Sequence, residues 1–401
     1  MRTAKLKDIT LTITDGKHGD CKNHDGSGYY FISCKDVYDE TIHYENARQI
    51  TEDDFRDADR RTNLAAYDIL ITNSGTIGRM ALVKDIPETR KTTFQKSVAI
   101  VRADTSQVVP NYLYYLLKSK VHDFINSSNG SAQKNLLLST MRDFDISFVD
   151  SFETQHRIAS ILSRYDSLIE NYQKQIKLLE EAAQRLYKEW FVDLRFPGHE
   201  NTNIIDGVPE GWEKKSIGEI GTVITGKTPS TSNKENYGGS IPFITIPDMH
   251  TGIYPVSSVF LSEKGAESQS KKYIPQGALI VSCIGTAGLV CITKERCQTN
   301  QQINSLILDD KEMLHYMYFV FLSLKEHLNN IGSNGATMTN VNKSKFEGID
   351  IVVPSSCIIR DFSQRTTPYF ENIKSLQSQL SLLTEARDRL LPKLMSGEIE
   401  I

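Results

Sequence analysis

An internal repeat constrains the fold of this chain more than any other feature of its sequence. The stretch YDILITNSGTIG at 67–78 matches GALIVSCIGTAG at 277–288, which sets Gly75-Thr76 on Gly285-Thr286, 210 residues later. Further matches follow in the same order, at separations that fall from 210 to 205: Gly16-Lys17 with Gly226-Lys227, Phe94-Gln95 with Gln301-Gln302, Gly130 with Gly335, Asn135 with Asn340, and Asp145-Ile146 with Asp350-Ile351. Ordered matches of this kind indicate a duplicated unit with loop deletions.

Each repeat opens with a stretch of mixed pattern. Short apolar runs such as Ile69-Leu70-Ile71 and Leu279-Ile280-Val281 end in turns rich in Gly, Asn and Ser, which is typical of a strand followed by a loop. Helical patterns at 112–117 and 316–324 lie between such runs. The pattern predicts a compact α+β globule with its own core in each repeat.

A long helix is predicted after the first globule. Asp150-Ser151 supplies a cap with Glu153 in the first turn, and Pro197-Gly198 supplies a stop. Apolar residues between them recur at steps of three and four with one stutter, the pattern of a coiled-coil seam. The seam consists of Ile158, Ile161, Tyr165, Leu168, Tyr172, Ile176, Leu179, Ala183, Leu186 and Trp190. About 40 residues at 1.5 Å each give a helix of about 60 Å.

The second repeat ends in a similar seam. Thr367-Pro368 is typical of a helix N-terminus, Pro392 is expected to kink or end the helix early, and Gly397 is a plausible stop. The seam residues are Ile373, Leu376, Leu380, Leu383, Leu390 and Leu394. Because a stripe of about 60 Å exceeds a globule of about 30 Å, we expect the two helices to pack on each other as an antiparallel, pseudo-twofold coiled coil. Packing of each helix on its own globule is the alternative.

The predicted fold class is therefore α+β, with two tandem α/β domains joined by two long helices. The predicted boundaries are a first globule at 1–152, a first spacer helix at 153–196, a second globule at 197–356 and a second spacer helix at 357–401.

The sequence contains little that indicates catalysis. Its 46 basic and 50 acidic residues give a formal charge of −4, which excludes a uniformly basic DNA binder but not a local basic patch. We find no phosphate-binding P-loop, dinucleotide fingerprint, HExxH or GxSxG motif, and the six cysteines form no CxxC. We therefore predict no catalytic residue and no metal site. Since no apolar run approaches the roughly 20 residues of a membrane span, we expect a cytoplasmic protein.

Polar loops at matching places of the two repeats supply the candidate DNA-binding residues. Asn and Gln can pair with adenine and Arg or Lys with guanine, while hydroxyls and cations reach phosphates. The candidates in the first repeat are Lys17, Asn73, Ser74, Thr76, Arg90, Lys91, Thr92, Gln95, Lys96, Gln133, Lys134 and Asn135. Those in the second are Lys227, Thr228, Ser282, Thr286, Thr299, Asn300, Gln301, Thr337, Thr339, Asn340 and Lys343. For any one of them an ordinary solvated loop is the alternative, but matched scaffolds with different loops indicate two readers of two sequences.

The glycines of the repeated turn have two interpretations. They either form a tight turn after a strand or let backbone amides approach a phosphate. The residues concerned are Gly75, Gly78, Gly285 and Gly288.

Taken together, these features resemble the specificity (S) subunit of type I restriction–modification enzymes. The resemblance covers essentially the whole chain and rests on the order of the two repeats and on four motifs. These are Gly207-Val208-Pro209-Glu210-Gly211-Trp212, Asp68-Ile69-Leu70 followed by Gly75-Thr76-Ile77-Gly78, Lys188-Glu189-Trp190-Phe191, and Leu391-Pro392-Lys393-Leu394-Met395-Ser396-Gly397-Glu398-Ile399.

The resemblance implies that each globule is a target recognition domain for one half of a bipartite, asymmetric site in double-stranded DNA. It implies that the helix pair sets the unread gap and that two methylation (M) subunits dock on it. These would methylate adenine N6 with S-adenosylmethionine, and restriction (R) subunits would translocate and cleave DNA with ATP and Mg. This chain itself would hold no cofactor. Two other classes stay open: a structural coiled-coil adaptor without base readout, and an unrecognised DNA methyltransferase or nuclease.

Overall fold

The computed structural model describes residues 1–128, 135–333 and 340–401. The chain divides into two compact units, one built from Met1–Leu168 with Leu383–Ile401 and the other from Ile169–Leu382. Each unit therefore contains the beginning of one long helix and the end of the other. The predicted boundaries at 152, 196 and 356 separate helix from globule instead, and they remain predictions.

The first unit is built around an antiparallel four-stranded sheet with the order β2-β9-β6-β7. Its strands are β1 (Arg2–Lys5), β2 (Thr10–Asp15), β3 (Tyr30–Ile32), β4 (Val37–Tyr38), β5 (Thr41–Ile42), β6 (Ile69–Thr72), β7 (Met80–Leu82), β8 (Thr92–Phe94), β9 (Val98–Ala103) and β10 (Asp145–Phe148). Its helices are α1 (Glu52–Thr62), α2 (Pro110–Ser119), α3 (Val121–Asn126), α4 (Leu138–Arg142) and the start of α5 (Phe152–Tyr187). Strand β3 pairs with β8 in parallel, β1 pairs with β10, and β4 and β5 form a hairpin.

The second unit repeats this plan with the sheet order β14-β20-β17-β18. Its strands are β11 (Ile204–Ile205), β12 (Val208–Pro209), β13 (Glu213–Ser216), β14 (Gly221–Thr225), β15 (Tyr237–Ile244), β16 (Val259–Leu261), β17 (Leu279–Ser282), β18 (Val290–Ile292), β19 (Gln298–Thr299), β20 (Ile303–Leu308) and β21 (Asp350–Val353). Its helices are α6 (Glu263–Glu267), α7 (Leu314–Ser323), α8 (Lys325–Ser333), α9 (Lys343–Glu347) and the start of α10 (Ser356–Ser396). Strand β15 pairs with β19 in parallel, as β3 does with β8.

The duplication predicted from the sequence is confirmed, with one correction to its register. The amide of Gln95 donates to the carbonyl of Ile32, and the amide of Asn300 donates to the carbonyl of Ile244, so Gln95 corresponds to Asn300 and not to a residue of the pair Gln301-Gln302. The match was misplaced because the connection from β7 to β8 is longer than the one from β18 to β19. The predicted match of Gly130 with Gly335 lies outside the described residues.

The first long helix begins and extends largely as predicted. The amide of Thr154 donates to the Ser151 hydroxyl at 3.3 Å, and the amide of Gln155 donates to the Ser151 carbonyl at 2.9 Å, so Ser151 is the cap. A π-helical turn at Lys188–Val192 extends α5. The helix therefore ends shortly before Pro197.

The predicted start of the second long helix at Thr367-Pro368 is wrong. Helix α10 begins at Ser356 and passes through both Pro368 and Pro392. Two apolar side chains before the proline, Ile359 and Phe362, are buried in the core of the second unit. Their burial favours about three further helical turns before the proline. This burial offsets the cost of an interior proline, about 3 kcal/mol, which removes one backbone hydrogen bond and crowds the preceding turn.

The two long helices share a core inside each unit. In the second unit Ile176 and Trp190 of α5 lie in the same apolar core as Phe370 and Ile373 of α10. In the first unit the beginning of α5 lies in one core with the last turns of α10, through Ile158, Leu162, Leu391 and Leu394. In each unit the beginning of one long helix therefore packs with the end of the other, as in an antiparallel pair.

Most of the predicted seam is buried or partly buried, but not all of it. Ile158, Ile176, Ala183, Trp190, Ile373 and Leu394 are buried; Ile161, Tyr165, Tyr172, Leu179, Leu186, Leu376, Leu380, Leu383 and Leu390 are partly buried. Leu168 is 45% exposed, so the buried part of the predicted seam does not include it. The buried stripe of α10 instead includes the polar residues Thr366, Gln377 and Arg387. Within the described ranges, no helix is long and apolar enough to cross a membrane.

Candidate nucleic-acid interface

A glycine turn follows β6 in the first unit and β17 in the second. The amide of Gly78 donates to the Thr72 carbonyl at 2.9 Å, and in the second unit the amide of Gly288 donates to the Ser282 carbonyl at the same distance. Both glycines have positive φ, 88° and 90°, where other residues are strained. A Cβ on Gly78 would lie 2.8 Å from a methyl group of Val121 on α3. These contacts favour the turn-forming interpretation for both glycines.

Three separate segments meet at this turn in each unit. In the first unit Ser74 pairs with Asn135 as a β-bridge, and the amide of Asn73 donates to the Ser97 carbonyl at 3.0 Å. In the second unit Ile284 pairs with Asn340 in the same way, and the amide of Cys283 donates to the Gln302 carbonyl at 2.8 Å. We call residues 74–76, 95–97 and 135 the first loop cluster, and residues 284–286, 300–302 and 340 the second loop cluster.

The structure brings nine of the 23 predicted binding residues into these clusters. Those in the clusters are Ser74, Thr76, Gln95, Lys96, Asn135, Thr286, Asn300, Gln301 and Asn340, all exposed or partly exposed. Thr228 adjoins the second cluster, because its hydroxyl donates to Oε1 of Gln301 at 2.5 Å. The predicted residues Gln133, Lys134, Thr337 and Thr339 lie outside the described residues.

Four predicted binding residues are buried: Asn73, Thr92, Ser282 and Thr299. The Thr92 hydroxyl donates to the Glu88 carbonyl at 2.7 Å, and the Ser282 hydroxyl accepts from the Leu289 amide at 2.8 Å. Thr92 and Ser282 therefore stabilise the turns from inside, whereas Asn73 Oδ1 and Thr299 Oγ1 are buried without a hydrogen-bond partner among the described residues. Buried side chains present little surface to a base. For these four residues we therefore replace the binding role with a structural one.

The remaining predicted cations differ in their surroundings. The Lys17 ammonium donates to Asp57 at 3.0 Å and lies 3.9 Å from Asp54, and the bond to Asp57 raises the pKa of Lys17. Its charge is therefore matched by carboxylates of α1, whereas the corresponding Lys227 is exposed. Arg90 and Lys91 are exposed on the turn before β8, and Lys343 is exposed at the start of α9, where it lies 3.3 Å from Glu347.

A polar cleft of about 420 Å³ opens beside the first loop cluster. Ser74, Gln95 and Ser97 line one part of it, and the segment that follows β3 and β5 lines the rest, with Lys35 and Asn46. Amide, hydroxyl and ammonium groups around one opening offer the donors and acceptors that base edges and phosphates require. Lys35 and Asn46 were not among the predicted residues.

A second repeated turn supports this segment. Both the amide and the hydroxyl of Ser33 donate to one carboxylate oxygen of Asp36 at 2.8 Å, and Thr245 does the same to Asp248 at 2.8 Å. The sequence contained this signal as Ser-x-x-Asp and Thr-x-x-Asp, 212 residues apart. In the parts of the chain that the structure describes, no three or more His, Cys, Asp or Glu side chains are grouped so as to hold a metal ion.

Comparison with known proteins gives consistent results. The family model for the type I restriction modification DNA specificity domain matches residues 3–181 and 209–364. The chain is 32% identical over 369 residues to the type I restriction enzyme HindI specificity subunit of Haemophilus influenzae, covering 75% of this chain and 80% of that protein. It is 30% identical over 391 residues to the MjaIX specificity subunit of Methanocaldococcus jannaschii, covering 95% and 89%.

The fold also matches a solved structure. The crystal structure of a type I restriction-modification S subunit from M. genitalium superposes with a TM-score of 0.62 at 16% identity, covering 98% of this chain and 96% of that one. Two sheet-bearing units of one topology, each with a polar loop cluster and the ends of two long helices, define a duplicated DNA-recognition protein. The chain belongs to the family of type I restriction–modification DNA specificity subunits.

Proposed function

We propose that this chain reads a bipartite, asymmetric DNA site, with one half-site recognised by each loop cluster. The observation that carries the proposal is one backbone scaffold with two sets of side chains. Matching backbone hydrogen bonds relate Gln95 to Asn300 and Ser97 to Gln302, and matching β-bridges relate Ser74 to Ile284. Lys96 and Gln301 lie between the first two pairs, and the side chains differ in chemistry at all four positions.

A shared scaffold with different side chains favours two different half-sites. Backbone geometry sets where a side chain can reach, and the side chain's donors and acceptors decide which base it matches. The exposed Lys96 offers donors only, while the exposed Gln301 offers both a donor and an acceptor. The two clusters therefore favour different bases at equivalent positions.

The chemistry is assigned to partner subunits in this proposal. This chain would be a non-catalytic recognition subunit, and M subunits docked on the long helices would methylate adenine N6 with S-adenosylmethionine. R subunits would use ATP and Mg for translocation and cleavage. The absence of known catalytic motifs in the sequence and the family membership support this division. We expect the complex to work in the cytoplasm.

The test is a map of methylated adenine. The chain is co-expressed with a type I methylation subunit, and N6-methyladenine is located across the host genome. We expect a split motif with a fixed gap that disappears when this chain is omitted. A soluble complex that binds DNA without sequence preference would contradict the proposal and favour the adaptor, and methylation by the chain alone would favour an enzyme.

Point variants assign each half-site to a unit. Lys96→Ala should change the motif in one half-site only, and Gln301→Ala in the other, because each discriminating contact contributes about 1–3 kcal/mol. Lys7→Ala is the matched control, because Lys7 is an exposed lysine of the first unit whose ammonium bonds to Asp143 at 2.8 Å. Exchange of residues 1–152 for those of a relative should likewise change one half-site.

The gap has its own test. Helices α5 and α10 are continuous over 36 and 41 residues, which supports a spacer of fixed length. Four residues inserted into both helices, at the exposed Gln173 and Gln379, add about 6 Å to each. At 3.4 Å per base pair this predicts a gap longer by about two base pairs. An unchanged gap would refute the spacer role.

A further inference from the structure

A buried arginine lies at the end of α10, inside the first unit. The side chain of Arg387 is 7% exposed, and its Nη1 donates to Oε2 of Glu40 at 2.8 Å and to Oδ1 of Asp166 at 2.7 Å. Burial lowers the pKa of Arg387, but the facing carboxylates outweigh this effect and leave the pKa above its ordinary value. The guanidinium is therefore a permanent, directional link between α10, α5 and Glu40.

Glu40 belongs to a strained turn. It and Asp39 connect β4 to β5, and their φ angles are 61° and 47°. A two-residue hairpin with both φ angles positive favours Asn and Gly, and a glutamate there is strained. Glu40 is held in place by Arg387 and also by the Lys118 ammonium, at 2.6 Å. The turn conformation is therefore stabilised by charges that come from α2 and α10.

The same hairpin adjoins a wall of the polar cleft. The amide of His43, just after β5, donates to the carbonyl of Asp36, just before β4, at 2.8 Å. Lys35 and Asn46, which line the cleft, lie on either side of this closed segment of the chain. A shift of the hairpin would therefore move both side chains of the wall.

Stability alone does not account for such a cluster. A buried ion pair contributes little net stability, since the cost of desolvation offsets the attraction, but its hydrogen bonds impose one geometry. The second unit holds α10 with a neutral link instead, in which Gln377 accepts from the Tyr254 amide at 3.1 Å. The charged link belongs to the first unit, where Glu40 lies in the hairpin between the two cleft-lining residues Lys35 and Asn46.

We propose that Arg387 is a positioning residue for DNA reading by the first unit. It holds the β4–β5 hairpin, and with it Lys35 and Asn46, in the position that selects the first half-site. This inference rests on the proposed function above, and it adds that the fidelity of one half-site depends on the C-terminal end of the second long helix.

The test compares half-site fidelity in the assembled complex. Arg387→Met removes the link from the helix side. Glu40→Gly removes it from the hairpin side and also relieves the positive φ, which keeps a folded variant available if Arg387→Met does not fold. Arg389→Met is the matched control, because Arg389 lies on the same helix with its side chain 78% exposed. Adenine methylation is mapped for each complex, and the half-site altered by Lys96→Ala is taken as that of the first unit.

We expect Arg387→Met and Glu40→Gly to raise methylation at sites with one mismatch in the first half-site by about tenfold or more, with the second half-site unchanged. Loss of stability alone would lower methylation at every site and leave both half-sites equally strict. The inference is overturned if the two variants show that pattern or no change while the unaltered complex and Arg389→Met both produce a split motif. The proposed function would then remain intact. Absence of any split motif in the unaltered complex would overturn both.

Discussion

Gln155 offers the sharpest test of how α5 is attached to the first unit. Its side chain is fully buried. Its Oε1 accepts from the Val109 amide at 2.8 Å, and its Nε2 donates to the Val149 carbonyl at 2.7 Å. Val109 precedes α2 and Val149 follows β10. One amide side chain therefore joins the start of the long helix to two other elements.

Replacement by alanine should destabilise the first unit strongly. Gln155→Ala leaves the buried Val109 amide and the partly buried Val149 carbonyl without their partner, and an unpaired buried group costs about 1–3 kcal/mol. Alanine regains only a few tenths of a kcal/mol through helix propensity. We expect a loss of about 2–4 kcal/mol in the free energy of unfolding. Gln155→Glu should also destabilise, because it keeps the acceptor but buries a charge and cannot donate to Val149.

Native-state hydrogen exchange followed by mass spectrometry measures this loss in each unit separately. Amides of β9 in the first unit should exchange about 30-fold to several hundred-fold faster in Gln155→Ala, while those of β20 in the second unit change less. Gln175→Ala is the control, since Gln175 is exposed on the same helix, where its side-chain amide donates to Asn171 one turn earlier. A loss below about 0.5 kcal/mol in the first unit would refute the reasoning.

Three further predictions concern the rest of the chain. Burial lowers the pKa of His315 to about 4, whereas the unfolded chain binds that proton near pH 6.5. The free energy of unfolding should therefore fall by up to about 3 kcal/mol between pH 6.5 and 4. An equally steep fall in urea midpoints for His315→Phe would contradict this. Gly277→Ala should cost about 1 kcal/mol for its φ of 77°. Gly288→Ala should cost more, because its Cβ would also lie 2.6 Å from Lys325; equal melting temperatures would contradict this. Iodoacetamide should label the exposed Cys357 in the folded protein. It should label Cys297 only after unfolding, because Cys297 is buried and burial raises its pKa to about 12. Equal labelling of the two by mass spectrometry would contradict this.

Much of the helical architecture could be predicted because its signals are local. The Ser151 cap and the apolar period of α5 both lie within a few turns of chain. The cap is confirmed, and Ile176 and Ala183 of the period are buried in the core of the second unit. The start of α10 was misjudged for the opposite reason. Pro368 is a local signal. The helical turns before it form because residues such as Phe362 are buried in the core of the second unit, which is not a local signal.

The buried polar residues of α10 show the same limit. A count of apolar steps passes over Gln377 and Arg387, although both are buried. Each is buried because a partner from another element satisfies it, the Tyr254 amide in one case and Glu40 with Asp166 in the other. Such partners are distant in the sequence, so periodicity does not indicate them.

The loops and residue types of the candidate interface could be predicted, but not which residues of these loops are exposed. Asn73 and Ser74 are neighbours of the same polarity, yet one is buried and the other partly exposed. Which of them faces solvent depends on how the end of β6 meets the Ser97 carbonyl and the bridge to Asn135. Lys35 was missed because only the packed fold brings it to the cleft.

The duplication, the alternation of globule and long helix, and the kinds of side chain in the turns all follow from the order of residues, because repetition, periodicity and capping are encoded in nearby residues. The tertiary structure alone decided which of these side chains meet. It joined three distant segments into each loop cluster and placed Arg387 against Glu40, 347 positions away in the chain. Contacts between distant segments depend on how whole elements pack, and a pattern along the chain carries no measure of that packing.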